Sequence, residues 1–109
     1  MKKTTIIALD VSGSMPQSIA EVHVKAAEKL AKGTKILRLV FDVTVKQVKS
    51  FYEPIIAHNG TDYDCIEKFI HCTFFSEKDY PNVIVITDGY GSPPRLLGTQ
   101  DKWTWLIVR

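Results

Sequence analysis

The run Asp10-Val11-Ser12-Gly13-Ser14-Met15 follows directly on the apolar residues 6–9. It places one carboxylate and two hydroxyls at alternate positions, where an expected strand ends. In extended backbone, residues at i, i+2 and i+4 point to one side, so these three side chains can converge on one point. Gly13 lets the chain bend there without a side-chain clash. Groups that offer only oxygen suit a hard cation such as Mg2+.

A hard cation needs more oxygen ligands than this run supplies, and two later pieces of the chain offer them. Thr61 follows Asn59-Gly60 and precedes Asp62. Thr87-Asp88-Gly89 comes directly after the apolar run 82–86. Each piece lies at an expected strand end or helix start.

Taken in order, these pieces resemble the metal-ion-dependent adhesion site of von Willebrand factor type A (VWA) domains. The positions that match that site are Asp10, Ser12, Ser14, Thr61 and Asp88. Within that superfamily the chain looks most like the compact VWA-like domain at the C-terminus of certain metallopeptidase-like proteins. The marks of that domain match residues 10–14, 60–62, 87–89 and the Trp-containing end 103–108, so the resemblance covers nearly the whole chain.

The resemblance also implies a role for each matched residue. Ser12, Ser14 and Thr61 would offer hydroxyl oxygens to Mg2+ or Mn2+, while Asp10 and Asp88 would hold metal-bound waters. Neutral direct ligands leave much of the cation's charge uncompensated, so an open position would attract an Asp or Glu of a partner protein. Because the family often works beside AAA-type ATPases or metallopeptidase-like proteins, we expect a partner of that kind.

Composition favours an ordinary globular protein. The 109 residues are 45% hydrophobic and 24% charged, which is typical of one folded domain spanning residues 1–109. The net charge is +2, and the lysines are interspersed with acidic residues, so we expect neither nucleic-acid nor membrane binding. The apolar run 6–9 is shorter than the ~7–15 residues of a signal peptide core. We therefore expect a cytoplasmic protein.

The two cysteines lie seven residues apart in an expected helix, at Cys65 and Cys72. That spacing separates them by about 10 Å along the helix, which is too far for a mutual disulfide. We expect both to be small buried hydrophobic residues. With two cysteines and three dispersed histidines, a zinc site is not expected.

Apolar patterning predicts an α/β fold. Strands are expected at residues 4–10, 35–42, 44–51, 82–87 and 103–108, with helices at 16–32 and from 62 onward. Since only Asp42 and Val43 lie between the apolar part of the second strand and Thr44, the third strand must return antiparallel. The expected architecture is a Rossmann-like, mostly parallel sheet of about five strands with one antiparallel edge strand, flanked by helices.

The expected fold also places the first helix and the residues of the site. The first helix carries an apolar stripe that should pack on the sheet, formed by Ile19, Val22, Ala26, Ala27 and Leu30. Asp10 and Asp88 end two apolar strands, and ligand sites in such folds lie at the carboxyl ends of strands where strand order reverses. Thr61 falls where a helix N-cap would lie, and Tyr63 and Tyr90 are candidates for the rim of the site.

Other readings of the same residues stay open. Residues 10–14 could form an ordinary strand-to-helix loop, and 87–89 a plain turn. The chain has no His-Glu-x-x-His motif and no visible catalytic set, so we expect it not to be an enzyme. The alternatives are a metal-dependent hydrolase or phosphotransferase using Asp10 and Asp88, and a degenerate VWA-like domain that binds partners without metal. Because the chain is shorter than typical VWA domains, a homodimer or a partner would cover apolar surface that its helices leave open.

Overall fold

The structure, a computed structural model, describes residues 3–12, 17–51, 61–74, 79–89 and 99–108, with the backbone alone at 17–20. In chain order its elements are β1 (Thr4–Asp10), α1 (Gln17–Leu30), β2 (Lys35–Phe41), β3 (Val45–Val48), α2 (Asp64–Thr73), β4 (Asn82–Thr87) and β5 (Trp103–Ile107). A single turn of 3-10 helix, Gln100–Lys102, precedes β5.

The strands form one sheet in the order β3-β2-β1-β4-β5. Every neighbouring pair is parallel except β2 and β3, which are antiparallel. The predicted α/β class, the mostly parallel five-strand sheet and its antiparallel edge strand are therefore confirmed. β1 lies in the centre, which explains why Ile6, Ile7 and Ala8 are fully buried.

The turn between β2 and β3 explains the antiparallel edge. The backbone N–H of Thr44 donates to Oδ1 of Asp42 at 2.9 Å, and the N–H of Asp42 donates to the carbonyl of Thr44 at 3.1 Å. An aspartate that bonds the backbone two residues on forms a tight turn, and a connection this short cannot carry a crossover to a parallel strand.

One helix packs on each face of the sheet. Side chains of β1 alternate between the two faces, so the strand contributes to both cores. Ile7 and Leu9 pack with α1, while Ile6 and Ala8 pack with α2. The same alternation continues along the strand. Asp10 therefore points to the face that α2 covers.

The predicted packing face of α1 is wrong. Val22 and Leu30 are 68% and 64% exposed, and Ala26 is also exposed. The helix instead packs through Val24, Ala27 and Ala31, so that only Ala27 of the predicted stripe is confirmed, and the side chain of Ile19 lies outside the described part. Small side chains let a helix approach the sheet closely, and two apolar arcs were available to this helix.

The ends of the helices follow local chemistry. Gly33, at φ +90°, ends the first helical region in the left-handed conformation that glycine tolerates best. Thr61 is not the N-cap of α2, because that helix begins at Asp64. The backbone N–H of Asp64 donates to Oδ1 of Asp62 at 3.0 Å.

The cysteines differ from the expectation of burial. Both lie on α2, but Cys65 is half-buried and Cys72 is exposed, near the end of the helix. Within the described residues, no helix is long and apolar enough to cross a bilayer.

Candidate functional site

The carboxyl ends of β1 and β4 lie side by side at the centre of the sheet. In the parallel register Leu9 is opposite Ile86, which brings Asp10 level with Thr87. Strand order reverses here, because β1 is followed in sequence by β2 on one side and has β4 on the other. The edge above these ends is where open α/β sheets bind their ligands.

Asp10 is a buried carboxylate with a protein donor on each oxygen. It is 1% exposed. Oδ1 accepts a hydrogen bond from the backbone N–H of Ser12 at 2.8 Å, and Oδ2 accepts one from the hydroxyl of Thr87 at 2.7 Å. Such bonds are what make a buried charge tolerable.

Thr87 connects Asp10 to a third residue, Tyr63. The Tyr63 and Thr87 hydroxyl oxygens are 2.8 Å apart. Because Thr87 has a single hydroxyl proton and donates it to Asp10, Tyr63 must donate to Thr87. The N–H of Gly89 donates to the same Thr87 oxygen at 3.2 Å. The Thr87 hydroxyl therefore uses its one proton and both of its acceptor positions.

Tyr63 is held in this position by its ring. Its ring centroid lies 5.8 Å from that of Phe41 and 5.1 Å from that of Trp105, the latter in an edge-to-face arrangement. The residue is 3% exposed, so it lies inside the fold and not on the rim as predicted. Tyr90, the other rim candidate, lies outside the described residues.

The pKa of the Tyr63 phenol is affected by burial and by two carboxylates of the site, those of Asp10 and Asp88. Burial raises its pKa above the usual 10.0, the hydrogen bond with Thr87 opposes this shift, and the negative charges of Asp10 and Asp88 add to it. Asp88 is half-buried and directly follows Thr87. The two carboxylates that end the two apolar strands thus act on one buried group.

The segment that carries Thr61 crosses the same edge of the sheet. The N–H of Asp62 donates to the carbonyl of Asp42, just beyond β2, at 2.8 Å. Tyr63 reaches Thr87 at the end of β4. Thr61, half-buried, directly precedes these two anchors.

Four of the five predicted site residues thus lie within the described part. Asp10 and Ser12 are in direct contact, and Asp88 and Thr61 lie on segments that meet the same edge. Ser14 lies outside the described residues. Thr87 and the buried hydroxyl of Tyr63 were missed as parts of the network. The only sequence feature that hinted at Thr87 was its place before Asp88, which also fits an ordinary turn.

The donor set is compatible with a hard cation. Its polar groups are carboxylate and hydroxyl oxygens, and each Asp10 oxygen retains acceptor capacity for a water molecule. Thr87 has no such capacity left, so it would not be a ligand in this arrangement. In the described part of the chain, no three His, Cys, Asp or Glu side chains come together as candidate metal ligands. A site built mainly on hydroxyls would contain no such cluster.

Burial and two further aspartates, Asp62 and Asp42, affect the pKa of the Cys65 thiol near the start of α2. The thiol donates to the carbonyl of Asp62 at 2.8 Å. Burial, followed by the negative charges of Asp62 and Asp42, raises the pKa of the Cys65 thiol to about 12. At neutral pH Cys65 is therefore a protonated, unreactive thiol.

When compared with known proteins, the chain matches no protein-family model and no curated protein.

Proposed function

We propose that this chain is a VWA-like protein-interaction module that binds Mg2+ or Mn2+ at the carboxyl ends of β1 and β4. The ligand set would be Asp10, Ser12, Ser14, Thr61 and Asp88. The main support is the 2.7 Å hydrogen bond from Thr87 to Asp10, which joins two motif pieces 77 residues apart in the chain. The pieces were linked in sequence only by resemblance to a metal site, and they meet at the edge where such folds bind ligands.

In this proposal the carboxylates and hydroxyls have different tasks. The hydroxyls of Ser12, Ser14 and Thr61 would contact the metal, and Asp10, fixed by Ser12 and Thr87, would orient a water bound to it. A bound divalent cation supplies positive charge to the edge of the sheet. Few direct negative ligands would leave the cation attractive to an Asp or Glu side chain of a partner.

The module would act by binding and not by catalysis. The partner would be a protein that presents an acidic side chain, of the AAA-type ATPase or metallopeptidase-like kind, and the setting would be the cytoplasm. The kind of partner rests on the resemblance to VWA-like domains. The cytoplasmic setting rests on the short apolar run near the start of the chain, and the expectation of neither nucleic acid nor membrane as a ligand rests on the dispersed charge.

The test is metal-dependent stability, followed by direct measurement of metal affinity. Binding at ten times the dissociation constant stabilises a folded protein by about 1.4 kcal/mol, or about 6 °C in a domain of this size. We expect Mg2+ or Mn2+ to raise the melting temperature of the wild type relative to EDTA. Isothermal calorimetry should give the same dissociation constant.

Asp88→Asn and Asp79→Asn make a matched pair for this experiment. Both aspartates flank β4, Asp88 at its carboxyl end and the exposed Asp79 before its amino end. We expect Asp88→Asn to weaken the metal response and Asp79→Asn to leave it unchanged. An equal response in both variants would place any bound metal elsewhere.

A second candidate function follows from how fully Asp10 is satisfied inside the protein. Because each Asp10 oxygen already has a protein donor, the Asp10 network could have a purely structural role and hold the ends of the strands together, as in a degenerate domain that binds partners without metal. That function predicts no metal response in the wild type, together with a marked loss of stability in Asp10→Asn. Partner capture that persists in EDTA would also favour it.

A further inference from the structure

The outward face of α1 carries an apolar row that the fold does not use. Val22, Ala26 and Leu30 are exposed and lie four residues apart, which places them in a line along the helix. Val22 and Leu30 are the two most exposed large hydrophobic side chains among the described residues. Exposed apolar residues scattered singly need no explanation, but a row of them does.

A line of lysines runs beside this row. Lys25, Lys29 and Lys32 are all exposed. At about 100° per residue, Lys29 projects within about 20° of Val22, and Lys25 within about 60°. Of the two acidic residues of the helix, Glu28 is drawn toward the sheet by Arg38, whose Nη2 lies 3.4 Å from its carboxylate. The other, Glu21, is exposed on the same flank as the lysines, four residues before Lys25, so three lysines there stand against one glutamate. The outward face is therefore apolar with a positive flank.

We propose that this face of α1 is a docking surface for an amphipathic helix of a partner protein, with acidic residues along one flank of that helix. The small Ala26 between Val22 and Leu30 lets a second helix approach closely at the middle of the row. The lysines select for acidic residues beside the partner's apolar row. Because the row is short, the interaction is of the weak, transient class.

Charge argues against a second copy of this chain as the occupant. When two identical helices pair antiparallel, the same flank of each faces its counterpart, so two flanks that each carry three lysines and one glutamate would face each other with like net charge. Three side chains also offer far less than the roughly 800 Å² per partner of a stable dimer. An anionic membrane would suit the lysines, but membrane-surface helices bury a face of several Trp, Phe and Leu side chains, whereas this row has a single Leu beside a Val and an Ala.

The surface goes beyond the proposed metal site, and it is tested without metal. The probes are two dye-labelled model peptides that form amphipathic helices with a Leu/Ala face. One has Glu along one flank, and the other has Lys at the same positions. Binding is measured by fluorescence anisotropy in EDTA, so a failure of the metal-site proposal would not affect the result.

Two substitutions of exposed apolar residues make the control. Leu30→Gln removes one end of the row, while Val43→Gln alters the 44% exposed Val43 in the turn between β2 and β3. We expect the Glu peptide to bind the wild type and Val43→Gln equally, and Leu30→Gln about tenfold more weakly. Raising the salt concentration should weaken binding. Melting temperatures of both variants should match the wild type because both side chains are exposed.

Amide chemical shifts show where the peptide binds. Shifts concentrated at residues 22–32 support the proposal. Equal binding of the Lys peptide, no binding of the Glu peptide, or shifts centred on residues 10–12 and 87–89 would each overturn it. Self-association of the wild type that is lost in Leu30→Gln would also overturn it. So would sedimentation of the wild type with phosphatidylserine vesicles, if Leu30→Gln abolished that sedimentation.

Discussion

Removing the hydroxyl of Tyr63 should have opposite effects on stability, depending on whether Thr87 is present. In the wild type, Tyr63→Phe deletes one hydrogen bond between neutral groups but keeps the ring against Phe41 and Trp105. Thr87 still donates to Asp10 and still accepts from Gly89, so no buried polar group loses its only partner. The expected cost is about 1 kcal/mol in the free energy of unfolding.

Thr87→Val is more damaging because three groups lose a partner, of which two, Asp10 and Tyr63, are buried and one, the N–H of Gly89, belongs to an exposed residue. Oδ2 of Asp10 loses its donor, a bond to a charged group worth about 1.5–3 kcal/mol. The buried hydroxyl of Tyr63 loses its acceptor, at a further cost of about 1–3 kcal/mol. Valine keeps nearly the same shape, so little of the loss comes from packing. We expect a total of roughly 2.5–6 kcal/mol.

The double variant should then be more stable than Thr87→Val alone. With Thr87 gone, Tyr63→Phe removes an unpaired buried hydroxyl and should restore about 1 kcal/mol, or about 4 °C in melting temperature. Free energies from urea denaturation with unchanged m-values give the coupling directly.

Tyr80→Phe provides the control for this cycle. Its hydroxyl donates to Glu67 at 2.7 Å and accepts from Trp103 Nε1 at 2.8 Å, so these bonds do not involve Thr87. It should therefore cost the same with or without Thr87. If Tyr63→Phe also cost the same in both backgrounds, the hydrogen-bonded chain from Tyr63 through Thr87 to Asp10 would be refuted.

Three further predictions concern other groups of the fold. Cys72, which is exposed, should react with a thiol reagent at neutral pH much faster than Cys65, whose thiol pKa is raised to about 12; equal rates in Cys65→Ser and Cys72→Ser would contradict this. The pKa values of Cys65, Tyr63 and Tyr80 are raised in the folded protein, so these groups ionise at lower pH in the unfolded chain than in the folded one. They should therefore leave stability unchanged below pH 9 and lower it as pH rises from 9 toward 12. Urea denaturation measures this fall in stability, which should be shallower in Cys65→Ser. Gly33→Ala should cost about 1–2 kcal/mol through its φ of +90° alone, since nothing lies within 4 Å of the added methyl group; an unchanged melting temperature would refute that strain.

The centre of the sheet could be predicted because β1 and β4 each contain an unbroken apolar run. Residues 82–87 are bounded as predicted, and the connection between β2 and β3 forces one antiparallel edge. The positions of Asp10 and Asp88 followed from the same runs, since Asp10 directly follows the first run and Thr87 alone separates Asp88 from the second.

The packing face of α1 could not be predicted from apolar spacing. Two apolar arcs overlap on this helix, and the larger residues, Val22 and Leu30, lie on the arc that faces outward. The sheet accepts Val24, Ala27 and Ala31 instead. Which arc is buried depends on the space above the sheet, which local sequence does not specify.

The hydroxyl network was equally hidden from sequence. Thr87 fits an ordinary turn, and Tyr63 reaches it only because the backbone of Asp62 is anchored beyond β2. That placement results from a contact between distant segments. No periodicity in the chain records it.

The distance in sequence between Asp10 and Thr87 also dictates when the site can form. β1 and β2 are separated by one helix and can pair early, but Asp10 must wait for a strand 77 positions further along the chain. Contacts of such long range form late, because closure of a long loop precedes them. During synthesis, a ribosome that has not yet released β4 would hold a chain whose central strand is half-paired and whose key carboxylate lacks a partner. Metal binding of the kind proposed for this edge should therefore follow the docking of β4, so that an incomplete chain would fold in part without binding metal.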